Sequence, residues 1–187
     1  MKAVTELSGL GDPAPWCRVY INRRPPLAPF EDVSHVMPLS NGDIDRINAA
    51  GGNGWRKVFN VYAKLLHGLA METQHPRCQS IRRFSAWQQF RDECMLQQGS
   101  GCALLFNAPP LQADDGIHLV MGKHYAQACH LPVHWLTPSF AQQPARPLWV
   151  TPYFDYRQFT NQDIGWMTKT LVAWLSQPRD HATLAST

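Results

Sequence analysis

The chain has 187 residues, 44% of them hydrophobic and 17% charged, which suits one globular domain with its own core and argues against two. Its 17 Lys and Arg against 14 Asp and Glu leave a net charge of +3, implying neither a basic nucleic-acid arm nor an acidic disordered tail. With 15 Pro, 7 Trp and 8 His, the composition excludes a coiled coil, a repeat array and a low-complexity chain.

Residues 1–15 hold no continuous apolar stretch and read as an N-terminal extension. No later stretch approaches the roughly 18 apolar residues of a membrane span. Cys17, Cys78, Cys94, Cys102 and Cys129 are odd in number and lack Cys-x-x-Cys spacing, which favours reduced, buried thiols over a disulfide framework. A soluble cytoplasmic protein is expected.

The β-forming run Cys17-Arg18-Val19-Tyr20-Ile21-Asn22 predicts a first strand that stops at Pro25-Pro26. Further prolines at 29 and 38 forbid regular helix until Ser40-Asn41-Gly42-Asp43, a Ser-x-x-Asp pattern that opens a short helix with Ile44 and Ile47 inward. Gly51-Gly52-Asn53-Gly54 breaks it. Trp55, Val58, Phe59, Tyr62, Leu65, Leu66 and Leu69 then recur at three- and four-residue intervals and predict a long helix over 54–71.

Phe84, Trp87, Phe90, Cys94 and Met95 repeat that period behind Ser85-x-x-Gln88 and predict a second long helix, with Gly99 as its stop. The apolar runs 102–106, 117–121 and 148–151 predict three more strands. Thr160-x-x-Asp163 caps a last helix carrying Ile164, Met167, Leu171, Trp174 and Leu175, and 178–187 reads as a flexible tail. Strands alternating with helices, each strand a continuous apolar run, predict a three-layer α/β/α domain over 16–177. Its sheet is expected to be mostly parallel, with about four strands.

Ligands of such sheets bind beyond the carboxyl ends of the strands, so the residues that follow each strand carry the functional expectation. Gly122 would turn the chain sharply, and free N–H groups at the next helix start, with Lys123, could hold an anion; a plain strand-to-helix turn is the alternative. Asn22 and Asn107 each end a strand ahead of a Pro-containing loop, where a carboxamide could pair with a base edge, orient a water or simply cap the turn. In Thr151-Pro152-Tyr153-Phe154-Asp155-Tyr156-Arg157, Tyr153 and Tyr156 could stack a planar ligand beside Asp155 and Arg157. The same segment could equally be an aromatic plug with a structural Asp155–Arg157 pair. His118, His124, Cys129, His130 and His134 crowd one region, but Pro132 interrupts the only helical pair, so no metal and no cofactor is implied.

The order of elements and a few of these residues resemble the uracil-DNA glycosylase superfamily, three-layer α/β domains of similar size. Val19-Tyr20-Ile21-Asn22-Arg23-Arg24-Pro25 is similar to its Asn-bearing catalytic motif without the glycines. Asn107 resembles its base-reading asparagine, and Gly122-Lys123-His124-Tyr125-Ala126 its Gly-Lys helix start. Thr151-Pro152-Tyr153 shares only the proline of its last loop. The stretch Thr151–Gln158 also resembles a family of bacterial proteins without assigned function. The glycosylase resemblance implies a domain that binds a nucleobase, nucleotide or nucleic acid. Asn22 would then position a water, Asn107 would read the base, Lys123 or Arg157 would hold phosphate, and Tyr153 or Tyr156 would stack. Two other classes compete: an interaction domain using Trp149, Tyr153 and Tyr156, and a small-molecule hydrolase. Oligomeric state is not readable.

Overall fold

The computed structural model describes residues 6–110 and 114–178. Its eight strands are β1 (Gly9–Gly11), β2 (Cys17–Tyr20), β3 (Val36–Met37), β4 (Cys102–Leu105), β5 (Ile117–Met121), β6 (His134–Trp135), β7 (Ala141–Gln143) and β8 (Leu148–Thr151). They form one sheet in the order β3-β1-β4-β2-β5-β8-β7-β6. The helices are α1 (Asp43–Glu72), α2 (Gln79–Arg82), α3 (Trp87–Glu93), α4 (Lys123–Ala128) and α5 (Asn161–Leu175).

The four expected strands are the parallel centre of this sheet, β4-β2-β5-β8, with Val19 opposite both Leu104 and Leu119. The sheet is nonetheless wider than four strands. β1 and β7 flank the centre antiparallel to it, and β3 and β6 extend the edges. These four strands are two or three residues long and lack runs of β-formers, so backbone pairing to a formed neighbour decides them. Gly9–Gly11, expected in an extension, is such a case. The strand sits between β3 and β4 with all three residues buried, and a Cβ at Gly9 would lie 2.3 Å from the Leu104 carbonyl oxygen. Only glycine lets the chain pass so close.

Alternation along the strands splits the core in two. Cys17, Val19, Leu104, Leu119 and Trp149 face the large cluster built with α1, α3 and α5. Tyr20, Ala103, Leu105, Val120, Leu148 and Val150 face a smaller cluster with Ala126, Tyr125, Leu131, Val133 and Trp135. The helices are therefore unequally shared. α1 and α5 pack on each other on the thick face, while six-residue α4 and the segment after it cover the thin one.

The predicted break in α1 is present as a kink at Gly52, φ 69° and ψ −160°, and every apolar residue of the predicted 54–71 stripe named above is buried. The expected second long helix is shorter. α3 starts at Trp87 with Ala86, not Ser85, at its cap and ends at Glu93. Cys94 and Leu96 (φ 61°) leave helical geometry, and Leu96 turns its carbonyl to the Leu39 N–H, 2.9 Å away. Cys94 and Met95 thus reach the core from a turn, which mimics a helical period. The Thr160–Asp163 capping box is complete. The expected tail, from residue 179 on, lies outside the described residues. Among the described residues no helix is long and apolar enough to cross a membrane. All five cysteines are free, four of them buried.

Candidate functional site

Strand order reverses at β2: the chain leaves β2 for β4 on one side, then returns to β5 on the other and continues to β8. Loops diverge at such a point and leave a crevice beyond the strand ends. A cleft of about 600 Å³ lies there, within the usual size range of small-molecule sites. Asn22 follows β2; Gly122, Lys123, His124 and Tyr125 follow β5; Pro152, Tyr153 and Gln158 follow β8; and Ser139 joins them from the β6–β7 turn.

Each wall has a local cause. Gly122 turns the chain at φ 95°, a conformation other side chains rarely adopt, and accepts the Ala126 N–H through its carbonyl. Its Cα side faces Tyr153, whose ring a Cβ would meet at 3.9 Å. Tyr153 is fixed from behind, because Arg23 donates to its Oη at 3.2 Å while lying over the Trp55 ring at 5.1 Å. The Tyr153 hydroxyl hydrogen is then left to donate elsewhere. Lys123 lies over the Trp135 ring at 4.9 Å. Burial and the adjacent Cys129 push the Tyr125 hydroxyl up to about 12, so it stays protonated and can donate.

The loop after β8 is held to α1. Lys57 Nζ sits 2.7 Å from Asp155 Oδ2 and 4.7 Å from the Tyr156 ring centroid, and the Arg157 N–H donates to Asp155 Oδ1 at 2.9 Å. The Lys57 hydrogen bond and then the Arg157 N–H hold the Asp155 carboxyl below its ordinary value. The Asp155–Arg157 side-chain pair weighed from the sequence is replaced by Asp155–Lys57. Asp155, Tyr156 and Arg157 form the rim beside Tyr153 and not the lining; Tyr156 is 55% exposed.

Asn22, Gly122, Lys123 and Tyr153 therefore meet in one cleft, and Asn107 does not. Its Oδ1 accepts from the Ser8 N–H at 2.6 Å and the Ser8 hydroxyl at 3.0 Å, fastening the chain before β1 to the end of β4. The cause is β1, which occupies the far side of β4 and brings Ser8, just ahead of it, onto the carboxamide. The helix-start anion site expected behind Gly122 also has little to offer, since α4 spans only six residues. Lining residues the sequence did not single out are Ser139 and Gln158, which come from loops without periodic signal. Tyr125 was visible only as a neighbour of Lys123, and His124 beyond that only as one of the histidines crowding this region.

The electrostatics are one-sided. Lys123 and His124 line the cleft and Arg23 braces its wall, whereas the described lining residues include no Asp or Glu. Among the described residues no group of three or more His, Cys, Asp or Glu is placed to hold a metal ion. The arrangement offers a lysine, further hydrogen-bonding side chains (Asn22, Tyr125, Ser139 and Gln158 among them) and a braced aromatic ring at one crevice.

Residues 8–172 match the model of a family of unknown function, DUF6942. No curated protein and no solved structure matches the chain.

Proposed function

As the chain belongs to the DUF6942 family, whose function is not defined, its activity has to be sought in its own cleft, and we propose that this cleft binds a nucleobase-bearing anion, a nucleotide or a single-stranded nucleic acid. The observation that carries the reading is the pairing of Tyr153, a ring braced by Arg23, with a lining that holds Lys123 and His124 and no described carboxylate. A ring wall suits a planar base, which stacks on it irrespective of sequence. The Lys123 ammonium suits phosphate, and the Asn22 and Gln158 carboxamides offer the paired donor and acceptor that a base edge takes. Exposed Tyr156 and Arg157 extend the same chemistry along the rim. In this reading Asn22 contacts the ligand and Asn107 is structural.

The competing reading, an interaction domain anchored on exposed aromatics, loses one of its anchors because Trp149 is 1% exposed. Tyr156 and Trp166, 55% and 41% exposed, remain available to it. Fluorescence anisotropy with labelled single-stranded oligonucleotides and competition by mononucleotides separates the two. Binding that weakens steeply with salt supports the cleft reading. No binding at micromolar protein and low salt rejects it.

A further inference from the structure

On the thin face of the sheet, below the cleft, Tyr20 of β2 and His118 of β5 lie with ring centroids 5.8 Å apart and planes 9° from parallel. The Tyr20 hydroxyl is 2.8 Å from His118 Nδ1, and His118 Nε2 is 2.9 Å from Asp114 Oδ1. That same carboxylate oxygen accepts from the Gly116 N–H at 2.8 Å and from Arg18 at 3.3 Å. Tyr20 and His118 are 0% and 1% exposed, whereas the Asp114 side chain is 41% exposed, so one end of the chain of bonds meets water.

The partners fix the protonation state. An ionised carboxylate only accepts, so Nε2 carries the proton, and Nδ1 accepts the Tyr20 O–H. The imidazole satisfies both neighbours only while neutral.

We propose that the Asp114–His118–Tyr20 chain is a pH-sensitive clasp between β2 and β5, closed while His118 is neutral and released when His118 takes up a proton in mildly acidic conditions. Protonation turns Nδ1 from acceptor to donor. The Tyr20 hydroxyl must then accept, and its own hydrogen loses the partner it had at Nδ1. Among the described residues, the charged and titratable groups facing His118 are Tyr20 and Arg18 of β2, Asp114 ahead of β5 and Arg146 in the turn ahead of β8. Two of these are guanidinium groups that oppose the new charge, and Asp114 offsets it. Burial holds the imidazole below its ordinary 6.5, with the Asp114 hydrogen bond pulling the other way. The open state thus binds the proton more tightly than the closed one, and below 6.5 opening gains up to about tenfold per pH unit. The clasp does not depend on what the cleft binds.

Two measurements test it. In side-chain NMR, His118 titrates below 6.5 in the wild type. The midpoint moves up in Tyr20→Phe, where the neutral ring loses its donor, and down in Asp114→Asn, where the charged ring loses its partner. In amide exchange corrected for intrinsic rate, protection of β2 and β5 is level above pH 7 and falls toward tenfold per pH unit below 6.5. The fall is absent in His118→Gln; if that variant does not fold, Asp114→Asn, at a partly exposed site, keeps the onset near 6.5 and carries the fall on to lower pH. An imidazole that titrates at 6.5 and responds to neither variant overturns the proposal, as does protection of β2 and β5 that is unchanged between pH 7 and pH 5.

Discussion

Lys57 reaches out of α1 to Asp155, and its ammonium group closes to 2.7 Å on the carboxylate while lying under Tyr156. A helix on the thick face thereby sets the position of a loop at the cleft mouth, although the two residues stand 98 positions apart.

Lys57→Met is expected to cost up to about 1 kcal/mol of stability, the range of partly exposed ion pairs. The Asp155 carboxyl is depressed in the folded state, so its contribution is present above its ordinary 3.8 and is lost as the pH falls through that range. Urea midpoints at pH 7 and pH 3 check this: the difference between wild type and variant should shrink at the lower pH. Ligand binding in the cleft should weaken as well, because Tyr153 shares the loop.

Tyr153→Ala should remove about 1–3 kcal/mol of base stacking from single-strand binding. Tyr153→Phe, which keeps the ring and loses the Arg23 contact, should cost less. Arg157→Ala should reduce the slope of log K against log salt by about 0.7, the contribution of one phosphate contact on a single strand. Anisotropy titrations from low to moderate salt read all three variants, and an unchanged slope would remove Arg157 from the binding surface.

Thr160→Ala should destabilise the protein by about 0.5–2 kcal/mol, since both halves of the capping box at the start of α5 are formed. Thr160 is exposed, so thermal or urea denaturation reads the cap without a packing term. A change below the measurement error would mean that α5 is held by its buried stripe alone.

Gly9→Ala should cost about 1–3 kcal/mol or more, as overpacking does, because the added carbon meets backbone atoms of Leu104 and Leu105 that cannot move aside. Gly42→Ala is the control: it has positive φ but nothing within 4 Å, so it should show backbone strain alone. A Gly9→Ala effect no larger than that of Gly42→Ala would mean that β1 shifts to accommodate the methyl group.

The parallel centre of the sheet was legible because its strands are buried on both faces and read as unbroken apolar runs, and the α1 stripe was legible because Trp55 to Leu69 keep one period. β1 and β7 were not, because Gly-Leu-Gly and Ala-Gln-Gln carry no β-forming pattern and owe their state to β4 and β8. Cys94 and Met95 misled for the opposite reason, being buried at helical spacing by a turn. At the cleft, Asn22, Gly122, Lys123 and Tyr153 followed from the rule that loops meet beyond strand ends. Asn107 obeyed the same rule and still lies elsewhere, since its position depends on the unforeseen β1. The Tyr20–His118–Asp114 chain joins residues 98 positions apart, and no local pattern announces it.

The bond from Ser8 to Asn107 spans 99 positions, and β1 finds its main partner in β4, where Gly9 lies opposite Leu105. Closing so long a loop is slow, and it is favourable only once the far strand exists. On a ribosome residues 8–11 emerge long before their partner, and they have no seat until Cys102–Leu105 has been made and laid against β2. β3, which joins the sheet through β1 alone, must wait for both. A segment made well before its partner is thus among the last to settle, and nascent chains halted shortly before residue 102 should be cut by protease near residues 9–11 while chains halted well beyond residue 105 resist.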